Sequence, residues 1–169
     1  TKGVPFFMNA EIDQLSQVWA KNEGGNTSVV LGRYNHYRPL IDRISKKYEL
    51  PWFIALIPAA NTGFEPKFRD ENGNAGMWPL PYLMAKRYGI RLTSLDDQRR
   101  DPEASTVAAC QYLKDLFVIY QDWLKVITAF RIGPARLNQI IHSVGTTDFN
   151  TIYTSLEPIE KTAIVQFYS

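Results

Sequence analysis

The chain has 169 residues, 45% of them hydrophobic and 13% aromatic, which suits one globular domain with a sizeable core. Nineteen basic residues against seventeen acidic ones leave a formal charge of +2, too balanced to announce a nucleic-acid partner. One cysteine excludes an internal disulfide framework, and one cysteine with two histidines excludes the usual four-ligand zinc site, so no metal or cofactor is expected and any chemistry must rest on carboxylates, hydroxyls and amides.

The opening residues Thr1-Lys2-Gly3-Val4-Pro5 include neither an initiator Met nor an apolar signal segment, so a targeting segment is expected to be missing from this sequence. The first helical pattern is Ile12, Leu15, Val18 and Trp19, with Asn9 placed to cap it. A second runs through Tyr37, Leu40, Ile41, Ile44 and Tyr48. The longest apolar stretch, Leu50 to Ala60, is interrupted by Pro51 and Pro58 and is about half the length a membrane helix needs, so no span is expected. From Thr62 to Pro81 periodicity stops. Gly63, Pro66, Asp70, Asn72, Gly73, Asn74, Gly76 and Pro79 mark a long connection, in which Phe64, Phe68, Met77 and Trp78 argue for ordered packing and a role in a binding cleft. Gly89 ends the next periodic run. Asp101-Pro102 supplies a cap and a first-turn proline for a helix bearing Ala109, Tyr112, Leu113, Leu116 and Tyr120. Gly133 and Gly145 fall where helices end, and Pro134 starts the helix between them, with Leu137, Ile140, Ile141 and Val144. A last helix is expected after Glu157-Pro158, with Ile164, Val165 and Phe167. The pattern predicts one all-α domain over 1–169: N-terminal helices over about 1–49, the core cleft motifs over 50–145, and a C-terminal helical segment over 146–169.

Five segments, read in order, carry a resemblance. They are Leu50-Pro51-Trp52-Phe53, Pro58 to Pro66, Gly73 to Pro79, Arg99-Arg100-Asp101-Pro102-Glu103-Ala104-Ser105-Thr106, and Ala129-Phe130-Arg131-Ile132-Gly133-Pro134. Together they resemble the lytic murein transglycosylase domain, with its goose-lysozyme-like helical fold and central cleft, and are most similar to the membrane-bound transglycosylase D type. The match runs from about Val4 to the end. The Arg-Arg-Asp-Pro segment is its most diagnostic part.

In the resembled family a Glu-Ser pair ends the helix after the Leu-Pro motif, and the glutamate is the general acid. The next motifs read Gly-Leu-Trp-Gln and Ala-Tyr-Asn-x-Gly-Pro. Here Asn61 stands in the place of the acid and Thr62 in that of the serine. Pro79 replaces the glutamine, and Phe130-Arg131 replaces Tyr-Asn. The resemblance implies cleavage between N-acetylmuramic acid and N-acetylglucosamine, with one carboxylic acid protonating the leaving oxygen and assisting ring closure by the sugar's 6-hydroxyl. A side-chain amide cannot exchange a proton near neutral pH, so a general acid–base contribution of about 10²–10⁴ is lost at Asn61. Phe130 lacks a hydroxyl, and Pro79 has neither a side-chain amide nor a backbone donor.

Four other carboxylates are weighed as substitutes. Glu65 lies one turn after Asn61, but Gly63 and Pro66 end the helix first. Asp70 and Glu71 are read as solvated loop carboxylates, and Glu103 as a favourable first-turn charge. Met77 and Trp78 are either saccharide contacts or core residues. Arg131 either offers a permanent charge to stem-peptide carboxylates, or fills the groove, or is simply exposed. His36 and His142 are read as surface or packing histidines and Cys110 as a buried inert thiol. Gly73 and Gly76 make no phosphate loop, because no Gly-Lys-Ser/Thr follows. The Asn26-Thr27-Ser28 sequon is taken as a chance match.

The sequence therefore predicts a domain with no catalytic residue in the family's acid position and a cleft drawn from Asn61, Thr62, Met77, Trp78, Phe130 and Arg131. The partners it implies are a peptidoglycan glycan strand or muropeptide, or an envelope protein, with no nucleic acid. The resemblance implies the bacterial cell envelope, periplasmic or associated with the outer membrane. An active murein transglycosylase and a structural envelope module remain as alternatives.

Overall fold

The computed structural model describes residues 27–168; the expected helix around Asn9 to Trp19 and the asparagine of the sequon lie outside them. Among the described residues the regular structure is helical, with only isolated bridges such as Arg69 to Ala75 and Ala75 to Leu80. The all-α expectation holds. The described chain groups into two compact units, residues 27–114 and 115–168, and the division falls within one helix.

In the first unit, helix α1 spans Thr27–Lys47 and is longer than its apolar period suggested. The extra N-terminal turns expose Val29 and Leu31, so no buried stripe marks them in the sequence. Pro39 inside α1 has no N–H for the carbonyl one turn earlier, a local cost that the buried Ile41 and Ile44 on the following turns offset. A short 3-10 turn, Trp52–Ala55, buries Phe53 and Ile54 and leads directly into α2, Leu56–Thr62. The prolines that break the apolar stretch set these starts: Pro51 is extended just before the turn, and Pro58 sits in the first turn of α2, where a missing donor costs nothing.

After α2 come the irregular connection, then α3 at Tyr82–Arg87 and the 3-10 turn Gln98–Arg100. Helix α4, Pro102–Tyr120, begins as the sequence predicted, with Asp101 Oδ1 accepting from the Ala104 amide at 2.6 Å. Its residues in the first unit bury Ala108, Ala109, Cys110, Tyr112 and Leu113.

The second unit holds α5 (Trp123–Ile132), α6 (Pro134–Val144), α7 (Phe149–Thr154) and α8 (Pro158–Tyr168). Residues Val126 to Phe130 of α5 are buried without interruption, as befits a helix that packs on both α6 and α8. The polar member, Thr128, satisfies its hydroxyl on the Leu124 carbonyl at 2.8 Å. Asp122 caps α5 and Asp148 caps α7 through their carboxylates. Gly133 separates α5 from α6 with φ 88° and ψ 144°, an extended left-handed conformation open in practice only to glycine, rather than the helical left-handed cap that Gly145 provides. Arg136 of α6 pairs with Glu160 of α8, at 2.6 Å for its closest contact.

Candidate functional site

Asn61 and Thr62 are the last two residues of α2. The helix stops there because Gly63 takes the left-handed conformation at φ 56°, its amide bonding to Ala59 and that of Phe64 to Pro58. Glu65 is thereby removed from the face of α2, as the glycine and proline had implied. It is held instead by an ion pair with Arg33 of α1, which also donates to the Gly63 carbonyl at 3.3 Å. No sequence feature had singled out Arg33, whose partner lies 32 positions away.

Asn61 is half-buried, and its Oδ1 is buried with no hydrogen-bond partner among the described residues. Thr62 is fully engaged. Its hydroxyl lies 2.7 Å from the Met77 carbonyl and 3.1 Å from that of Pro58, and its single proton serves the shorter contact. This bond fixes the end of α2 to the connection that follows.

That connection is ordered by a buried guanidinium. Arg99 is only 5% exposed and donates to the carbonyls of Gly73 at 2.8 Å and Leu80 at 3.2 Å. Its charge is met by Asp97, whose carboxylate accepts from Arg99 Nε at 2.9 Å and Nη2 at 2.6 Å. The side-chain bond from Arg99 is the main reason the Asp97 carboxyl sits below its ordinary pKa, against a smaller opposing effect of burial. Gly76 allows the close approach: at φ 88°, an added Cβ would lie 1.8 Å from the Arg99 carbonyl oxygen. Downstream of the same motif, Thr106 Oγ1 accepts from Trp78 Nε1 at 2.9 Å and donates to the Pro102 carbonyl at 2.6 Å. The Arg-Arg-Asp-Pro segment and its Ser-Thr are thus a scaffold for the connection.

This packing corrects part of the expected cleft. Met77 and Trp78 are completely buried, so neither side chain presents a face to a saccharide; they are core residues, with the Trp78 N–H satisfied internally. Pro79 is buried beside them. Phe130 and Arg131 lie in the second unit, on the last turns of α5: Phe130 is buried, and Arg131 is half-exposed with no ion pair among the described residues.

Two of the other weighed carboxylates, Asp70 and Glu103, have partners of their own. Asp70 accepts from the Asn74 backbone at 2.9 Å and from its side-chain amide at 2.7 Å, closing the loop on itself, and Glu103 pairs with Arg43 at 2.9 Å. Glu71 is exposed. His36 and His142 are on the surface, as expected, and Cys110 is buried. Among the described residues no group of three or more His, Cys, Asp or Glu could hold a metal ion, and no helix is long and apolar enough to cross a membrane.

Residues 39–153 match the family model described as the transglycosylase SLT domain. Over 155 residues, 91% of this chain, the sequence is 28% identical to the membrane-bound lytic murein transglycosylase D of Escherichia coli strain K12. The same identity and coverage hold for the protein of that name in Escherichia coli O6:H1. The match covers 34% of either relative, so this chain spans about a third of the length of the curated proteins it resembles.

Proposed function

This chain belongs to the transglycosylase SLT domain family, and from that premise we propose that it binds murein in the bacterial cell envelope without cleaving it. The observation that carries this reading is the side chain at the end of α2. Position 61, where the resembled family has its general acid, holds an amide, and the carboxylate that follows most closely in the chain, Glu65, is tied to Arg33. An amide cannot deliver a proton to a leaving sugar oxygen, and Glu65 is engaged by the Arg33 guanidinium beyond the end of α2.

The scaffold around that position is intact. Thr62, Gly76, Trp78, Arg99 and Thr106 are joined by short bonds and close packing, which supports retention of a binding surface after loss of the proton donor. Saccharide recognition needs such a surface, with hydrogen-bonding groups held in place.

Two measurements test the reading. Purified sacculi incubated with the protein are expected to keep their turbidity and to release no anhydromuropeptides by mass spectrometry. The same protein is expected to sediment with insoluble peptidoglycan. Clear product formation would overturn the non-catalytic reading in favour of an active transglycosylase. Absence of retention would remove murein as the ligand and leave a protein partner in the envelope.

A further inference from the structure

Helix α3 has one buried side chain, Ala85, and a continuous outer face made by Tyr82, Lys86, Leu83 and Arg87. At 100° per residue these four span about 140° of the helix circumference, with apolar and basic side chains alternating around it. Tyr82 is 52% and Leu83 72% exposed, a pairing of large apolar side chains that a surface helix ordinarily turns inward. Lys86 and Arg87 are exposed and make no ion pair among the described residues, and α3 contains no acidic residue. In the same unit Arg33, Arg38, Arg43, Arg91, Arg99 and Lys114 each have a carboxylate partner, while Lys46, Lys47, Lys67, Arg69 and Arg100, like the two cations of α3, have none among the described residues; what sets α3 apart is that its two cations alternate with exposed Tyr82 and Leu83.

We propose that the outer face of α3 docks on a bilayer surface carrying anionic lipid headgroups. The argument is one of complementarity. Two cations free of carboxylate partners match anionic headgroups, and the intervening leucine and the tyrosine are the side chains that settle at the boundary between headgroups and acyl chains. Lys and Arg reach outward on long apolar stems, so their charges can meet headgroups while Leu83 enters the boundary. Such a patch gives weak, reversible and salt-sensitive contact. It would hold the domain against a membrane without any spanning helix.

The test is co-sedimentation of the full chain with vesicles of pure phosphatidylcholine and with vesicles containing phosphatidylglycerol. Binding is expected only to the anionic vesicles, and is expected to fall in high salt. Each basic residue near an anionic surface contributes roughly fivefold, so Lys86→Gln with Arg87→Gln should weaken binding about thirtyfold. Leu83→Ser should weaken it separately, which a purely ionic contact would not show. All three side chains are exposed, and circular dichroism is expected to be unchanged in the variants. No binding to anionic vesicles, or full binding by the double variant, overturns the proposal. So does loss of sacculus retention in the double variant with vesicle binding unaltered, which would make the patch a murein contact. Retention on sacculi unaffected by these changes keeps this inference separate from the murein reading.

Discussion

Position 61 illustrates how one atom type decides a chemical capability. The amide of Asn61 sits in the last turn of α2, with its oxygen buried and unbonded among the described residues, and on the reading proposed above it stands in the place of an acid. Asn61→Glu is expected to gain slow release of anhydromuropeptides, about 10²-fold above an unaltered protein at background, measured by mass spectrometry of digested sacculi. Equal release from both proteins would show that position 61 is not the missing donor. Gly76 is a residue whose role is purely steric. Gly76→Ala would drive a methyl into the Arg99 carbonyl and force an L-residue into a left-handed conformation. A loss of about 2–5 kcal/mol is expected in urea denaturation. Arg131 tests the charge reading: Arg131→Asn is expected to weaken retention of muropeptides bearing free stem carboxylates, and unchanged affinity would count against a role for its guanidinium.

At the scale of elements, the irregular connection between α2 and α3 depends on a single buried cation and its counter-ion. Arg99→Ala would leave the Gly73 and Leu80 carbonyls without this donor and Asp97 without its partner, a change expected to cost about 3–5 kcal/mol. The pH dependence follows from the direction of the Asp97 shift. Because its folded pKa is below the unfolded value of about 3.9, Asp97 contributes stability above about pH 4 and loses it as pH falls through the lower, folded value. Asp97→Asn is therefore expected to be less stable near neutrality and to show a shallower acid limb in thermal melts between about pH 5 and 2. An unchanged acid limb would show that the pair does not govern it.

At the scale of the whole molecule, burial decides which reactive groups are available. Cys110 is fully buried in α4, and desolvation pushes its thiol up to about 12. It is expected to resist a thiol reagent at pH 8 until urea exposes it, so that labelling follows unfolding of the first unit. Immediate labelling would show that this core opens locally. The long helices were legible because apolar periodicity, proline starts and glycine stops act over a few neighbouring residues. Asp101-Pro102, Pro134 and Glu157-Pro158 open α4, α6 and α8 in register with the sequence reading. The short α7, Phe149–Thr154, had no legible period, since six residues make fewer than two turns.

By itself the sequence determined the helical class and the family resemblance, and it carries the proposal that an amide takes the place of the acid at position 61. These are properties of residue type and local spacing, and a side-chain amide lacks a usable proton in any fold. Only the tertiary structure decided that Met77 and Trp78 belong to the core, that Arg33 holds Glu65, and that Arg99 clamps the Gly73 and Leu80 carbonyls. Each depends on partners 19 to 32 positions apart brought within bonding distance, or on the density of packing around a side chain, and neither quantity is written in the local pattern.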